Sequence, residues 1–528
     1  MKKLSVDVGG TNTDAVLMDD HRFIDGIKIP SQLDIEKSIL AAIDHLQDKN
    51  SEQFANLDCV TLGTTQFTNA VIQRKYLTPV MCLRCGLPSG RGLPPGLGWP
   101  DDLRDATITA AHYFHGGHLY SGQPISEFSV TDRNSLINLL KQNVSAPIAI
   151  ASPFSPLIQA LEEEIAELIA SLDPERPVTL SHQMGGLGLI ERENAAILNA
   201  ALRPYARDVV TSYTNAFLER GIRCPFLISQ NDGTLMSANR VIQFPALTFA
   251  SGPTNSIQGA AELLGIKEAV VIDVGGTTSD IGVLQKGQPR RSNQIVQIES
   301  VRTNFRMPDL VSIGLGGGTI VHDNGDFGPE SLGFELKQRA KAFGGDVITL
   351  TDIAIARGRM FIGQPELLKD IPTTMIEAAE THMRAKLLHH VDVMKGDNPT
   401  IPVIVVGGGA EILRGVVPGD WQFVDEEISG LVNAIGASTA QASGYAEMII
   451  NYDEESRESA ISRVSSLALE NLEASGGNPL QYEIIDVDEA HVPYLGENWF
   501  RLKVILRGEL ASRLRLDHEA EEPAIAPA

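Results

Sequence analysis

The sequence predicts an α/β protein made of two related halves and a small C-terminal part. Residues 6–14 return as residues 272–280, an offset of 266 residues in a chain of 528, and such self-similarity indicates a repeated unit. Apolar runs flank both copies, as expected for two strands joined by a tight glycine turn. Long amphipathic segments with helical spacing lie between the copies, and strands alternating with helices are typical of α/β proteins.

Two hairpins are the first elements that the pattern predicts. In the first copy, apolar residues 4–8 and 15–18 flank a Gly-Gly turn, and residues 270–274 and 281–284 flank the same turn in the second. Short runs rich in valine and isoleucine favour strands. We therefore expect each half of the protein to begin with an antiparallel pair of strands.

Three amphipathic stretches are the clearest predicted helices. The first spans residues 35–46, with isoleucine and leucine at helical spacing. The second has Ser155 as its N-cap and a proline at the first helical position. The third spans residues 191–220, and we expect an interruption at Pro204 and an end at Gly221.

The repeated segments and the change in composition near the C-terminus suggest where the domains begin and end. We place the first domain at residues 1–180 and the second at residues 190–450, each starting close to its glycine turn. The sequence turns β-like at residues 478–510, and residues 451–517 are predicted to form a small α+β subdomain. Residues 518–528, acidic and then rich in alanine and proline, are predicted to be a disordered tail.

The charge balance excludes one class of partner and directs the search for others. Lysine and arginine number 43 against 67 acidic residues, a net charge of −24, and the chain has no clustered basic footprint for nucleic acid. No apolar run approaches the roughly 18 residues of a membrane span, and four scattered cysteines favour a reducing cytoplasm. A phosphate ligand would have to be bound locally, by backbone N–H groups and a metal ion.

The two repeated turns have the composition of phosphate loops. Asp7 and Asp273 stand just before the turns, where a carboxylate can hold Mg²⁺ directly or through water. Glycines let the backbone approach a phosphate, and hydroxyl and amide groups can point at its oxygens. The candidate phosphate-binding residues are Gly9, Gly10, Thr11, Asn12 and Thr13, and Gly275, Gly276, Thr277, Thr278 and Ser279. The alternative is two ordinary hairpin turns.

Two further glycine runs are candidate nucleotide contacts. They are Gly407, Gly408 and Gly409, and Gly316, Gly317 and Gly318. The first run follows the apolar residues 401–406, and its backbone would leave room for a flat adenine or ribose. The second could cover a terminal phosphate or a substrate. A plain structural turn is the alternative for both runs.

The doubled motif resembles the actin/hexokinase/Hsp70 ATPase superfamily, and the segment Asp-Val-Gly-Gly-Thr-Asn-Thr-Asp resembles the A-type subunit of the hydantoinase/oxoprolinase family. Similarities to that family continue along most of the chain. They are Gly63-Thr64-Thr65, Asn69-Ala70, Ser181-His182, Glu191-Arg192-Glu193, Asn199-Ala200, Thr248, Ser251-Gly252-Pro253, Gly259-Ala260, residues 313–318, residues 328–331 and Thr351-Asp352. The ordered set makes the resemblance specific.

The resemblance implies a fold and an activity. It implies two actin-like ATPase (ribonuclease H-like) domains flanking a nucleotide cleft, with ATP and Mg²⁺ as cofactors. It also implies phosphorylation and opening of a cyclic amide or imide, a B-type subunit as partner, and a homo- or hetero-oligomer. Asp7 and Asp273 would hold the metal. One carboxylate would orient the nucleophile: we favour Asp273, with Asp14 and Asp280 as alternatives.

Departures from the family pattern leave the substrate open. Leu62 stands where the family commonly has a histidine, and residues 334–337 read Phe-Glu-Leu-Lys where a Pro-Gly-Pro-x-Cys-Tyr segment is expected. The chain is also shorter than typical A-type subunits. An ATP-dependent carboxylase subunit, a small-metabolite kinase and a non-catalytic nucleotide-binding regulator are the alternative functions.

Three other features are weaker candidates. Cys82 and Cys85 have a zinc or redox spacing, but the chain has no second pair and buried free thiols are our interpretation. A histidine cluster could bind a metal or substrate, although polar loop residues are the simpler interpretation; it comprises His112, His115 and His118. The acidic residues 162–164 are predicted to form a solvated helix face.

Overall fold

The computed structural model describes residues 1–9, 12–32, 34–142, 145–290, 292, 296–305, 307–493 and 495–511. Its mixed sheets and helices confirm the predicted α/β class. Two predicted phosphate-loop residues, Gly10 and Thr11, and the predicted tail at 518–528 lie outside the described residues. Within the described part, no helix has both the length and the apolar character needed to cross a bilayer.

The first large sheet contains the N-terminal hairpin, formed by Lys2–Val8 and Asn12–Asp19. Cys59–Thr64 pairs in parallel with Lys2–Val8, on the edge opposite to Asn12–Asp19. In spatial order the nine strands are Gly477–His491, Trp499–Leu510, Ala442–Asn451, Leu235–Ser237, Phe226–Ser229, Cys59–Thr64, Lys2–Val8, Asn12–Asp19 and Arg22–Pro30. The strands nearest the C-terminus thus extend the sheet that begins at the N-terminus. The proposed domain limits stay a prediction.

The second large sheet repeats this arrangement around the central hairpin, formed by Ala269–Val274 and Ser279–Gln285. Val403–Val406 lies parallel to Ala269–Val274, as Cys59–Thr64 does to the first hairpin. The order is Gln288–Pro289, Ser279–Gln285, Ala269–Val274, Val403–Val406 and Gln422–Phe423, with Leu310–Ile313 also paired to Ser279–Gln285. Each half therefore has a hairpin followed by a parallel strand beside its first strand.

A smaller sheet is built entirely from parallel neighbours. Its strands, in spatial order, are Ile108–Phe114, Val80–Cys85, Ile148–Ala151 and Val178–Leu180. Its core contains Leu83, Ile150 and Ile165, all of them almost fully buried. Two short ribbons complete the strands: Val296–Ile298 with Val301–Thr303, and Thr319–Val321 with Phe327–Ser331.

The helices cover the sheets and bury their apolar faces against them. The α-helices are Ile35–Lys49, Ser51–Phe54, Gln66–Gln73, Asp101–Thr107, Val130–Gln142, Ala160–Leu172, Ser181–Met184, Leu189–Glu219, Ala238–Gln243, Ser251–Leu264, Leu336–Arg339, Leu350–Ala356, Thr373–Lys395, Glu426–Ser429, Val432–Thr439 and Arg457–Ala474. The predicted stripe at 35–46 is confirmed, because Ile39, Ile43 and Leu46 are fully buried. Short 3₁₀ turns are Ser89–Arg91, Pro245–Thr248, Gly333–Glu335, Lys341–Phe343, Pro365–Leu368 and Ala410–Ile412.

Two helix predictions need correction. Ser155 is not an N-cap, because the helix begins at Ala160 and the buried Ser155 hydroxyl lies 3.2 Å from Ser181 Oγ. The long helix Leu189–Glu219 continues through Pro204, where an interruption was expected. An interior proline costs a helix about 3 kcal/mol. Residues 192–202 of this helix are buried on all sides, and their packing offsets that cost. The predicted end is confirmed, because Gly221 adopts a φ of +75° just beyond the helix.

Two helices cross between the large sheets at unusually short range. Ser251–Leu264 packs on the central hairpin, and Val432–Thr439 packs on the N-terminal hairpin. A Cβ atom at Gly259 would lie 2.0 Å from the Val432 carbonyl oxygen, and one at Gly436 would lie 1.9 Å from that of Asn255. Only glycine therefore permits this crossing, which brings the two hairpins together.

Replacing Gly436 by alanine should destabilise the protein by roughly 1–3 kcal/mol or more, the usual cost of overpacking. The added methyl group would meet backbone, which cannot rotate away. Urea unfolding of Gly436→Ala would measure the loss. Gly419→Ala is the matched control, because a Cβ at Gly419 has no atom within 4 Å. Equal stability of the two variants would contradict the close crossing.

Candidate functional site

The two hairpin turns are closed by the same backbone hydrogen bond. Gly9 N–H donates to the Asn12 carbonyl at 2.9 Å, and Gly275 N–H donates to the Thr278 carbonyl at 2.9 Å. Four carboxyl groups stand in matching places, since Asp7 pairs in register with Asp14, and Asp273 pairs with Asp280. The sequence repeat is therefore also a structural repeat.

Each leading aspartate lies over a glycine at the end of the adjacent parallel strand. A Cβ atom at Gly63 would be 1.9 Å from Asp7 Oδ1. At Gly407, whose φ is +95°, a Cβ would be 2.2 Å from Asp273 Oδ1. The two carboxyl groups occupy the space that a side chain would take, so both glycines are needed where they stand.

One of the crossing helices donates hydrogen bonds to the same two carboxyl groups. Asn255 Nδ2 donates to Asp7 Oδ1 at 3.2 Å, and the Ser256 hydroxyl donates to Asp273. Asn433, on the second helix of the crossing, lies with its Oδ1 within hydrogen-bond distance of the same Ser256 hydroxyl. The helix pair therefore holds Asp7 and Asp273 together between the two sheets.

Burial makes these carboxyl groups unusually weak acids. Loss of hydration raises the pKa of Asp7 to about 6 and that of Asp14 to about 7. It also raises the pKa of Asp273, and it raises that of Asp280 to about 6. A cation entering the space between Asp7 and Asp273 would offset this penalty, because an opposite charge favours the ionised form.

Lys28 joins this site, and the sequence reasoning missed it. Its ammonium Nζ lies 3.0 Å from Asp14 Oδ1 and donates to the Gly430 carbonyl at 2.8 Å. The same Nζ is 3.5 Å from where a Cβ of Gly408 would be. Lys28 thus connects the third strand of the first sheet to loops of the second half.

Two of the hydroxyl candidates stabilise the turns from the buried side. Thr13 Oγ1 lies 3.0 Å from Ser31 Oγ, and Ser279 donates to the Leu315 carbonyl at 2.6 Å; both Thr13 and Ser279 are fully buried. Their hydroxyl groups therefore support the turns, whereas Thr277 is exposed at the tip of the second turn.

The two additional glycine runs both pack against the central hairpin. Gly317 N–H donates to the Gly275 carbonyl at 3.0 Å, and Gly318 N–H donates to that of Gly276 at 2.7 Å. In the other run, Gly409 N–H donates to the Val274 carbonyl at 2.8 Å. The structure thus brings these runs beside the second turn, and their contact with a nucleotide stays a prediction.

The oxygen donors at the centre suit a hard divalent cation. Asp7 and Asp273 supply carboxylate oxygens, and the buried Asn255 Oδ1 has no hydrogen-bond partner among the described residues. Mg²⁺ is commonly held by one or two carboxylates together with waters and phosphate oxygens. Because the described residues contain no group of three or more histidine, cysteine or acidic ligands, a cation here would need such outside oxygens.

The remaining sequence candidates lie apart from this centre, in or next to the small parallel sheet. Cys82 and Cys85 are buried free thiols, as interpreted. His112 lies in a strand where a loop was expected, and His115 Nδ1 lies 3.0 Å from Asp132 Oδ1. His118 follows the same strand, at an isolated bridge to Pro124.

The predicted solvated face at residues 162–164 is wrong for Glu162. This side chain is fully buried and accepts hydrogen bonds from Ser181 and His182. Its spacing could have revealed this, because Glu162 stands three residues before Ile165 and seven before Ile169, on the buried face of the helix.

Comparison with known proteins gives the relationship of the chain. The protein-family model described as "Hydantoinase/oxoprolinase N-terminal region" matches residues 3–172. The family model described as "Hydantoinase/oxoprolinase" matches residues 192–368. The chain is 27% identical over 386 residues to the caprolactamase subunit alpha of Pseudomonas jessenii. It is 25% identical over 398 residues to the acetophenone carboxylase gamma subunit of Aromatoleum aromaticum. These alignments cover 68% of this chain but only 55% and 53% of the two relatives.

A solved structure supports the same relationship at the level of the fold. The crystal structure of the ATP-dependent caprolactamase from Pseudomonas jessenii superposes with a TM-score of 0.74 at 19% sequence identity. The match covers 96% of this chain and 88% of that chain. The predicted fold of two actin-like halves is therefore confirmed.

Replacing Asp14 by asparagine should stabilise the protein at pH 8. The folded protein keeps the Asp14 proton up to about pH 7, whereas an unfolded chain releases it at about pH 4. The folded state binds more protons between these values, so stability falls as the pH rises through that window. Asp14→Asn removes this penalty, on the order of 1–3 kcal/mol at pH 8 and much less at pH 5.

Urea unfolding at both pH values would measure the difference. The exposed Asp48→Asn is the control, and its stability should follow the wild type at both. An Asp14→Asn protein no more stable than the wild type at pH 8 would contradict the assigned environment.

Proposed function

Because the chain belongs to the hydantoinase/oxoprolinase family, we propose that it is an ATP-dependent amidohydrolase subunit. It would phosphorylate and open a cyclic amide or imide, such as a lactam, a hydantoin or an oxoproline-like ring. The observation that carries this proposal is the pair of matching hairpins whose Asp7 and Asp273 accept hydrogen bonds from consecutive residues of one helix. Two such hairpins can bind a polyphosphate from two sides.

The chemistry explains why ATP would be needed. Amide resonance makes an unstrained lactam carbonyl a poor electrophile, so water alone opens the ring very slowly. Phosphorylation of the amide oxygen gives an imidate with a good leaving group. Phosphoryl transfer asks the protein mainly for positioning and neutralisation of charge, and the hairpin site offers both through backbone N–H groups and fixed carboxyl groups.

Each residue of the site has its own role in the proposed reaction. Asp7 and Asp273 would hold Mg²⁺, which neutralises phosphate charge when bound. Backbone N–H groups of the two turns would bind the phosphates, and Lys28, now paired with Asp14, would contact a phosphate oxygen. Asp273 stays our choice for orienting the nucleophile, with Asp14 and Asp280 as alternatives.

The relatives suggest a substrate class and a partner. Similarity to a caprolactamase subunit favours a lactam, and relatives named as subunits favour a hetero-oligomer with a B-type subunit that completes hydrolysis. The similarity to an acetophenone carboxylase subunit supports the second candidate, an ATP-dependent carboxylase subunit that activates its substrate by phosphorylation.

Incubation with ATP, Mg²⁺ and a panel of lactams and imides should give ADP formation that depends on a ring compound. The expected increase over the amide-free rate is at least tenfold, because the acceptor completes the site. ADP formation that depends on bicarbonate and a ketone would favour the carboxylase. Turnover indifferent to every added compound would contradict both enzymatic proposals.

Asp7→Ala and Asp273→Ala should each abolish nucleotide-dependent turnover while leaving the protein folded. Both changes remove a charge whose burial is costly, so thermal stability should not fall as activity does. Asp323→Ala, at an exposed position of the second half, is the control and should keep full turnover. A variant at either site with wild-type turnover would remove that aspartate from the mechanism.

A further inference from the structure

One edge of the small parallel sheet is a strand that has a neighbour on one side only. Ile108–Phe114 pairs with Val80–Cys85 along its inner side, and no strand in the described ranges pairs with its outer side. An edge strand presents a row of unpaired backbone N–H and C=O groups, which a strand of another molecule can bind. The question is therefore whether this edge is built to prevent such pairing or to accept it.

The edge lacks the charges and the proline that usually keep strands of different molecules apart. Its sequence, Ile-Thr-Ala-Ala-His-Tyr-Phe, has no acidic residue, lysine, arginine or proline. Partial burial lowers the pKa of His112, so this side chain is uncharged at neutral pH. The one register shift of the strand lies opposite Val80 and Met81, and residues 110–114 pair regularly.

The two edges of the nine-stranded sheet show the contrast. Arg22–Pro30 carries three charged residues and a proline. Gly477–His491 carries four acidic residues and Pro479, and its register shifts twice. In the described part of the chain, Ile108–Phe114 is therefore the long edge strand best suited to pair with another molecule.

A groove of about 390 Å³ lies along the carboxyl half of this edge. One wall consists of the consecutive strand residues 111–114, which span about 13 Å when extended. The other wall is a single face of the helix Val130–Gln142, because its lining residues recur at helical spacing. They are Ser135, Asn138, Leu139 and Gln142, three of which have uncharged polar side chains. The groove thus has the length and the open side that an added strand needs.

A cation without a carboxylate partner lies at the carboxyl end of the edge strand. The Arg91 guanidinium stands 5.8 Å from the centre of the Tyr113 ring, and it forms no hydrogen bond or ion pair with any described residue. No acidic residue is among the described residues that line the groove. In a chain with a net charge of −24, such a cation indicates that an acidic group of another molecule binds here.

The amino end of the same strand is acidic. The helix Asp101–Thr107 ends directly before Ile108 and carries three aspartates against one arginine. Asp105, the aspartate nearest the strand in sequence, is largely exposed. Antiparallel pairing places the amino end of one strand beside the carboxyl end of the other, so a copy of this strand would bring its acidic end to Arg91.

We propose that this edge is a dimer interface, in which Ile108–Phe114 pairs antiparallel with the same strand of a second copy of the chain. The twofold axis passes through Ala111, the middle residue, whose small side chain lets the two backbones approach. Arg91 of each copy faces Asp105 of the other. The two four-stranded sheets become one sheet of eight strands, and the twofold symmetry closes the assembly at two copies.

Sedimentation of the full chain should show a dimer in equilibrium with the monomer. Ala111→Arg should raise the dimer dissociation constant at least about tenfold, because two like charges would meet at the axis. Ala170→Arg is the matched control and should leave the constant unchanged, because this exposed alanine lies on a helix that packs on Val178–Leu180 at the other edge of the sheet. A chain that stays monomeric at every concentration, or a dimer indifferent to Ala111→Arg, would overturn the proposal.

Exchanging charges tests the contact between Arg91 and Asp105. Arg91→Glu chains and Asp105→Lys chains should each dimerise more weakly than the wild type, because each variant places like charges at both ends of its own dimer. An equimolar mixture of the two variants should recover most of the wild-type affinity, because the mixed pair has opposite charges at both ends. A mixture that dimerises no better than the separate variants would contradict the proposed pairing.

A cysteine at the axis tests the register. Ala111→Cys should form a disulfide between copies on mild oxidation, because directly opposite residues of antiparallel strands have Cα atoms roughly 4.5–5.5 Å apart, within the range of disulfides. Thr109→Cys is the matched control on the same strand and is also exposed. It would lie opposite Tyr113, about 13 Å from its own copy, and should not form the disulfide.

Equal cross-linking of the two cysteine variants, or none at position 111, would reject this register. These measurements need neither ATP nor a ring compound. A failure of the dimer is therefore distinguishable from a failure of the proposed function.

Discussion

The crossing of two glycine-bearing helices is the constraint on which the candidate site depends. Gly259 and Gly436 allow backbone contacts that no other residue would permit, and the helices therefore run close enough to serve both halves. Asn255 and Ser256 are consecutive, yet one bonds Asp7 in the first half and the other bonds Asp273 in the second. Because the helix Ser251–Leu264 packs on the central hairpin, a change in the angle between the halves would alter the hydrogen bond to Asp7, so the geometry of the carboxyl pair is tied to that angle.

The site also has to resolve an electrostatic conflict. The chain carries a net charge of −24, and its centre collects Asp7, Asp14, Asp273 and Asp280, each with a pKa raised by burial. Such a field repels a polyphosphate at long range. Binding must therefore come from short-range groups, and the residues that can supply it are the backbone of the turns, Lys28 and a cation shared by the carboxyl groups.

The sequence predicted the parts of the site that are local in the chain. Both hairpins and their four aspartates were predicted from one repeated motif. This was possible because the glycine turn and the apolar residues of its two strands are adjacent in the sequence. Lys28 was missed because the repeat has no counterpart for it, and its partners Asp14 and Gly430 are 14 and 402 residues away. The pairing of Trp499–Leu510 with Ala442–Asn451 in the first sheet was likewise invisible, since strand neighbours distant in sequence leave no local pattern.

The prediction for Glu162 failed for a different physical reason. Three consecutive glutamates indicate a solvated face on average, but only one of them shares the helix face of Ile165 and Ile169. A charge in that position is tolerable because Arg192 and four hydrogen bonds from surrounding residues compensate it. At this position, the helical spacing of Glu162 from Ile165 and Ile169 was therefore more informative than the acidic composition of residues 162–164.

The differences between the two halves carry as much information as their similarity. The shared features, an aspartate over a glycine beside each turn, would serve both ends of a polyphosphate alike. Lys28 approaches only from the first half, whereas the run from Gly316 to Gly318 packs only on the second turn. A ligand with two unlike ends would therefore bind in one orientation, because a symmetric pair of hairpins is made directional by a cation on one side and a glycine loop on the other.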